Sequence, residues 1–180
     1  VGGMEGDLIK KFEVGYRAGV KTTNPDCEVL VTYVGSFADP VKGEDYANAQ
    51  YDQNADIIYQ AAGQSGLGVI NAAKKRNLYA IGVDMDQNHL APDNVITSMI
   101  KRVDAAVYDA CKMVAEGKFK GGIFVYGIAE GGIDIAPTSE KTLPKDVLDV
   151  ANALKERIKK GEFTPPSTED EFNAFTPPSL

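Results

Sequence analysis

In the stretch YAIGVDMDQNHLAPDNVITSMIKR, Tyr79 to Arg102, an apolar run ends on Asp84, a second carboxylate follows at Asp86, and the next apolar run ends on Lys101. An acid and a base at the ends of neighbouring buried strands can serve a ligand. A carboxylate accepts hydrogen bonds from two vicinal hydroxyls at once, and a nearby lysine donates to the same oxygens. The competing reading is a structural ion pair, or two solvated loop charges. Asp86 could instead join Asp84 as a cation site, but the reading taken is that no metal binds there. Phe37 follows an apolar run in VGSFADP, where an aromatic ring can stack on a planar base or pack beneath its own loop. In AAGQSGLG, Ala62 and Gly63 open a glycine cluster between a strand and a helix, a place where backbone N–H groups meet an anion or a hydroxyl. That cluster has neither the G-x-G-x-x-G nor the Walker pattern, and GQSGL around Ser65 lacks the G-x-S-x-G form of a nucleophile elbow. The single histidine, His89, has no partner for a triad or a metal cluster, so neither cofactor nor metal is expected.

The elements that must position these residues are legible as alternating patterns. Asp7 is placed to cap a helix carrying Leu8, Phe12, Tyr16 and Val20 about one turn apart, and Asn24-Pro25 breaks it. EVLVTYVGS reads as a β-branched strand ending at Gly35. Asp39-Pro40 then opens a helix to about Gln53. ADIIYQAAG is a buried strand, and GLGVINAAKKRN a helix burying Leu67, Ile70 and Ala73. LYAIGVD and NVITSMIKR are strands separated by a polar loop with Pro92. A helix over Val103–Glu116 with Val107, Ala110 and Val114 on one face, a strand GGIFVYGI, a short extended EGGIDIAPT and a final helix to about Lys160 complete the pattern. The tail repeats FTPPS at Phe163–Ser167 and Phe175–Ser179 and reads as a surface strap or a disordered segment.

Strands of nearly continuous hydrophobicity alternating with helices predict an α/β fold, a three-layer doubly wound parallel sheet. Ligands of such sheets bind beyond the carboxyl ends of the strands, which here carry Met4, Phe37, Ala62-Gly63, Asp84 and Lys101. With 26 acidic against 19 basic residues among 180, the net charge is −7, which argues against a nucleic-acid partner. No apolar run is long enough to span a bilayer. Val1-Gly2-Gly3-Met4-Glu5 reads as the last part of a strand and its turn, so the expectation is a fragment of a longer chain. Cys27 and Cys111 lie far apart, with a disulfide between them left open.

VGGMEGDLIKKFEVGYRAGVK, VTYVGSFADPVKG, ADIIYQAAGQSGLGV, IGVDMDQ and SMIKRVDAAVYD together, in this order from Val1 to about Lys160, resemble the signatures of the basic membrane protein family. Its members are substrate-binding lipoproteins of ABC transporters, typified by purine nucleoside receptors. The resemblance implies a type I periplasmic-binding-protein fold of which this chain supplies mostly the second lobe. Residues 1–95 would form that lobe, 96–160 would cross the hinge and contribute to both, and 161–180 would be the proline-rich tail. It further implies that Asp84 binds ribose hydroxyls, that Lys101 assists from across the cleft, that Phe37 stacks on the base, and that the loop around Gly63 lines the sugar. The implied partners are a purine nucleoside, a membrane-embedded ABC permease, and the missing first lobe or another copy of the chain. The implied location is the cell envelope, lipid-anchored outside the cytoplasmic membrane or periplasmic. The rival readings are a Rossmann-like enzyme using the same crevice, the same fold binding a sugar or signal ligand, and an adhesive surface lipoprotein.

Overall fold

The computed structural model describes residues 1–180. Its helices begin where local chemistry allows. The Asp39 side chain accepts from the Lys42 amide at 3.0 Å and Pro40 fills the first turn, so α2 is preceded by α1 (Asp7–Thr23) and runs Pro40–Asp52. The expected cap at Asp7 is not formed. Gly6 occupies the cap position, and Asp7 sits inside the first turn, where its charge still meets the positive end of the helix dipole. The buried residues of α1 are Ile9, Val14 and Ala18, whereas Leu8 is exposed.

β1 (Ile57–Tyr59), β2 (Tyr79–Asp84) and β3 (Val95–Lys101) are parallel, and α3 (Ser65–Arg76) connects the first two. The link from β2 to β3 has only a short 3-10 turn at Asn88–Leu90. On the open side of β1, residues 1–3 are threaded between two neighbours. Gly2 bridges both Tyr33 and Ala61 in parallel, with Gly2 N–H donating to Thr32 O at 2.8 Å and Gly3 N–H to Ala61 O at 3.0 Å. The order across the sheet is therefore 32–34, 1–3, β1, β2, β3 and β4 (Ile133–Ile135), the last antiparallel to β3. The sheet is thus parallel apart from one edge strand. The strand expected over EVLVTYVGS pairs only near its end. Residues 28–31 make no backbone–backbone hydrogen bond.

The main core lies under α2 and α3, where Tyr51, Ile58, Val69, Ile70 and Val95 are almost fully buried. Leu67, expected in it, is partly exposed. α2 and α3 approach closely at two glycines. A Cβ on Gly68 would lie 1.8 Å from Pro40 O, and one on Gly43 2.0 Å from Ser65 O. Ser65 is fully buried and its hydroxyl is committed, donating to Ser36 O and accepting from the Asp39 amide.

The C-terminal part is built differently. α4 (Val103–Ala115) is followed by residues 118–127, α5 (Ser139–Thr142), α6 (Lys145–Lys159) and α7 (Glu169–Ala174). No residue between Ser98 and Gly132 is buried. GGIFVYGI forms no strand, since no strand lies beside it to complete a ladder, and Ile123 and Val125 are almost wholly exposed. Val107 and Val114 of the expected α4 face are exposed too. Cys27 and Cys111 are both free thiols, so no disulfide joins them. The tail is a strap over α1. Thr168 and Glu171 form a reciprocal capping box on α7, Arg17 pairs with Glu169 at 2.8 Å, and the Arg17 guanidinium lies over the Phe172 ring. No helix is long and apolar enough to cross a membrane.

Two outcomes test this packing. Gly68→Ala should destabilise by about 3 kcal/mol or more, because backbone on α2 blocks the new methyl. Gly19→Ala, within the C-terminal part of α1 with open space around it, should instead stabilise by about 0.5–1 kcal/mol. Chemical denaturation of both variants checks the pair. The second outcome concerns pH. The Val1 amine donates to Tyr59 O at 2.7 Å, and burial lowers its pKa from 8.0 to about 5 despite the opposing pull of Glu13. The folded chain keeps this amine neutral where the unfolded chain protonates it. Its contribution is therefore complete above pH 8 and is lost as the pH falls towards about 5. Denaturation midpoints of the free and N-acetylated chains should diverge over that window; parallel curves would show a solvated amine.

Candidate functional site at the carboxyl ends of the strands

Strand order alone brings the expected residues into one row. Reading across the sheet, the ends carry Phe37, Met4, Ala62-Gly63, Asp84 and Lys101 in sequence. Asp84 and Ile100 are register partners, so Lys101 lies one residue beyond the rung that holds Asp84. Lys101 Nζ is 2.7 Å from Asp84 Oδ1, with the two side chains 43% and 47% exposed. The resemblance places Lys101 across the cleft; here it stands on the neighbouring strand of the same wall. The pair is open to solvent, so its hydrogen-bonding capacity is not consumed by the fold.

Asp84 has an unusual backbone. Its φ is 69°, in the region that side-chain-bearing residues avoid, and the Met85 N–H donates to Val83 O at 2.8 Å across it. That bond closes a γ-turn centred on Asp84, a strained geometry that persists only where the surroundings impose it. The surroundings are three buried polar side chains. Gln87 Oε1 accepts from Val83 N–H at 2.9 Å and from Gln60 Nε2 at 2.8 Å, while the Gln87 amide donates to Ser98 Oγ at 3.1 Å. Gln60 Oε1 in turn accepts from the Ala62 amide at 3.1 Å. The network ties the ends of β1, β2 and β3 together directly beneath the row. The room for it comes from glycine: a Cβ on Gly66 would lie 1.9 Å from Gln60 Oε1, and one on Gly82 2.4 Å from Ser98 Oγ. The sequence reading does not single out Gln87 or Ser98, and it includes Gln60 only as part of the strand end Gln60-Ala61-Ala62-Gly63. A glutamine inside the otherwise apolar run ADIIYQAAG was the available signal, since a buried amide must be hydrogen-bonded.

Asp86 is separate from Asp84. Burial acts to raise its pKa, but the Thr138 hydroxyl at 2.8 Å and the Asn88 and Thr138 amides outweigh it and hold the carboxyl below the ordinary range. Asp86 therefore anchors the segment after β4 to the loop after β2. No group of three His, Cys, Asp or Glu side chains is placed to hold a metal ion.

Phe37 is partly packed and partly exposed. One part of its ring packs on Gly3, where a Cβ would come within 2.2 Å of Cδ1, and the side chain still leaves the residue 41% exposed. Met4 beside it is half exposed, and Ala62 is fully buried. At the glycine cluster, the Ser65 amide is spent on Phe37 O and the Gly66 amide on Gly63 O. The Gly63 and Gln64 amides have no acceptor within the protein, and Gly63 takes a positive φ of 58° against the Phe37 carbonyl. The row thus offers a carboxylate, an ammonium, an exposed ring and free amides on one wall. A cavity of about 760 Å³ lies elsewhere, at the amino ends of the strands.

A family profile described as ABC transporter substrate-binding protein PnrA-like matches residues 1–169. The chain is 36% identical to basic membrane protein A of Borreliella afzelii over 97% of its own length and 55% of that protein. It is 38% identical to the ABC transporter nucleoside-binding protein BmpA of Lactococcus lactis subsp. cremoris, over 93% of its own length and 52% of that protein. A crystal structure of an ABC transporter solute-binding protein from Aeropyrum pernix K1 superposes with a TM-score of 0.83 at 30% identity, covering 97% of this chain and 60% of that one. The chain spans about half the length of the relatives it matches. On the match over nearly its whole length, the chain belongs to the Bmp family of ABC transporter substrate-binding proteins.

Proposed function

We propose that the chain is the second-lobe part of a purine nucleoside receptor that delivers its ligand to an ABC permease at the cell envelope. It binds and closes rather than catalyses. The observation that carries this reading is the strained, solvent-accessible Asp84 at the centre of the row, paired with Lys101 and held from below by buried amides. A backbone forced into a left-handed turn to present a carboxylate suits a ligand with two adjacent hydroxyls better than it suits a structural ion pair. The relative from Lactococcus lactis named as nucleoside-binding supports the choice of ligand class.

In this reading Asp84 accepts the 2′- and 3′-hydroxyls, Lys101 donates to the same sugar, and the exposed part of Phe37 stacks on the base. Met4 and the Ala62-Gly63 turn line the remaining wall. Residues 1–95 act as the second lobe, 96–160 pass through the hinge, and the opposite wall belongs to the first lobe of the longer protein. The lack of buried residues between Ser98 and Gly132 is consistent with that division.

The test is made on the complete two-lobed protein. Asp84→Ala should weaken adenosine or inosine binding by about 2–4 kcal/mol, because two hydroxyls lose a charged acceptor in an enclosed site. A 2′,3′-dideoxynucleoside should bind the wild type poorly and hardly respond to the mutation. Equal calorimetric losses for both ligands would remove Asp84 from the sugar, and binding of a hexose in place of any nucleoside would change the ligand class.

Lys101→Met separates ligand contact from structural support. Both partners of the ion pair are about half exposed, so the variant should unfold within about 1 kcal/mol of the wild type without ligand. Its nucleoside affinity should nevertheless fall about tenfold or more. A large fall in ligand-free melting temperature with unchanged affinity would make the pair structural.

A further inference from the structure

Asp84 and Met85 occupy a strained turn that their own side chains do not hold. The Asp84 carboxylate is open to solvent and Met85 is 61% exposed, so neither is packed into place. The left-handed φ of Asp84 is therefore imposed by the residues on either side of it. On the near side, Val83 is almost fully buried in β2 and its N–H donates to Gln87 Oε1. On the far side the fixed point is Asp86.

Asp86 is pinned through both its side chain and its main chain. Its Oδ1 accepts from the Thr138 hydroxyl at 2.8 Å and from the Asn88 amide at 3.2 Å, and its Oδ2 accepts from the Thr138 amide at 3.3 Å. Its carbonyl oxygen lies 3.1 Å from His89 Nδ1. Thr138 has independent support. The segment that carries it is fastened to β3 by the Ala136 amide, which donates to Ser98 O at 2.8 Å, and by the Thr142 hydroxyl, which donates to Ile96 O at 2.6 Å. The Thr97 and Ser139 hydroxyls add a third bond at 2.7 Å, and Ala136 and Ser139 are almost fully buried. Thr138 is thus a fixed post, and its bonds to Asp86 constrain the loop more than the segment.

We propose that Asp86 is a positioning residue for the ligand: braced by Thr138, it holds the Asp84 turn in the form that presents a carboxylate to two adjacent hydroxyls. The proposal rests on the reading of Asp84 as the hydroxyl acceptor. Asp86 takes no part in that contact, because three donors within the protein already occupy its oxygens. Its effect is on the conformation of its neighbour. Without the brace, Asp84 relaxes from a φ of 69° towards the extended region that an ordinary strand end prefers. The carboxylate then leaves its place 2.7 Å from Lys101 Nζ and has to be returned to it when the ligand binds. Apparent affinity falls in proportion to the fraction of molecules that keep the competent turn.

This division of labour also accounts for two acids only two residues apart. Asp84 faces solvent and Lys101, whereas Asp86 faces the protein and a residue 52 positions away. Recognition of a hydroxyl pair on β2 therefore depends on a threonine on the far side of β4.

The experiment uses the complete two-lobed protein with Asp86→Asn, Thr138→Val and Thr138→Ser. Asparagine keeps the size of the side chain but has a single acceptor oxygen and turns an NH2 group towards a donor. Valine keeps the shape of threonine and removes the hydroxyl, whereas serine keeps the hydroxyl. Calorimetry with inosine should show a loss of about tenfold for Asp86→Asn and about threefold for Thr138→Val, with Thr138→Ser close to wild type. Affinity for 2′,3′-dideoxyinosine, followed by displacement, should change by less than about twofold in every variant, since that ligand does not use the carboxylate. Ligand-free melting temperatures should stay within about 3 °C of wild type, because the segment keeps its bonds to β3. Equal losses for the two ligands overturn the proposal and make Asp86 a structural support alone. So does a loss in Thr138→Ser as large as that in Thr138→Val. Unchanged inosine affinity in Asp86→Asn overturns it as well, and Asp84→Ala then separates the two readings. A loss in Asp84→Ala leaves Asp84 as the hydroxyl acceptor, whereas no loss removes that reading too.

Discussion

The strand end at 32–34 is stitched to the rest of this sheet through three residues. Val1, Gly2 and Gly3 lie between a strand end at 32–34 and the end of β1, and they exchange backbone hydrogen bonds with both. No other element joins those two neighbours within the sheet. Because Gly2 and Gly3 lack side chains, Tyr33 and Phe37 can settle directly on the backbone, at positions where any Cβ would collide with their rings. The pairing thus sets the depth of the Phe37 ring, and with it the left end of the candidate ligand row. A short central strand with glycine at both pairing positions is weak by local propensity, so its stability comes from the neighbours that enclose it.

The right end of the row depends on buried polarity instead. Gln60, Gln87 and Ser98 are all nearly or fully buried, and each is hydrogen-bonded to backbone or to another member. A satisfied network of this kind rigidifies its surroundings, whereas a partly satisfied one costs stability. Its position beneath the γ-turn at Asp84 makes it the support for the strained backbone above it. First-row residues and their foundations are thereby drawn from different physical classes: exposed charge and ring above, desolvated neutral amides below.

This division explains what was legible in the sequence. Asp39-Pro40 predicted the start of α2, and Asn77 closes α3 in a left-handed conformation close to the expected boundary, because caps are local chemistry. The strand-end residues Phe37, Asp84 and Lys101 could be placed in a row because parallel topology converts chain order into spatial order. Pairing was less legible. The β-branched run at 28–31 has the composition of a strand, but composition cannot supply the neighbour that a ladder needs, and GGIFVYGI failed for the same reason. Leu8 was misassigned because a one-turn spacing fits two adjacent helix faces, and the buried face runs through Ile9, Val14 and Ala18. The φ of Asp84 had no signal at all, since nothing in GVDMDQ favours a left-handed aspartate over an ordinary turn.

α4 carries the same logic into the C-terminal part. It is a thirteen-residue helix with no buried residue, and isolated helices of that length are marginal in water. Its exposed Val103, Val107 and Val114 share the surface with Phe119, Ile123 and Val125, all apolar and all uncovered. The helix follows directly on β3, whose end at Lys101 leads straight into it. It is thus continuous with the strand that ends on Lys101. If residues 96–160 pass between lobes, covering the apolar face of α4 and closing on a ligand at Asp84 and Lys101 become one mechanical event. The first lobe then bears on both ends of the same short connection. Ligand affinity and lobe docking would be coupled through Lys101, without any separate transmitting element between them.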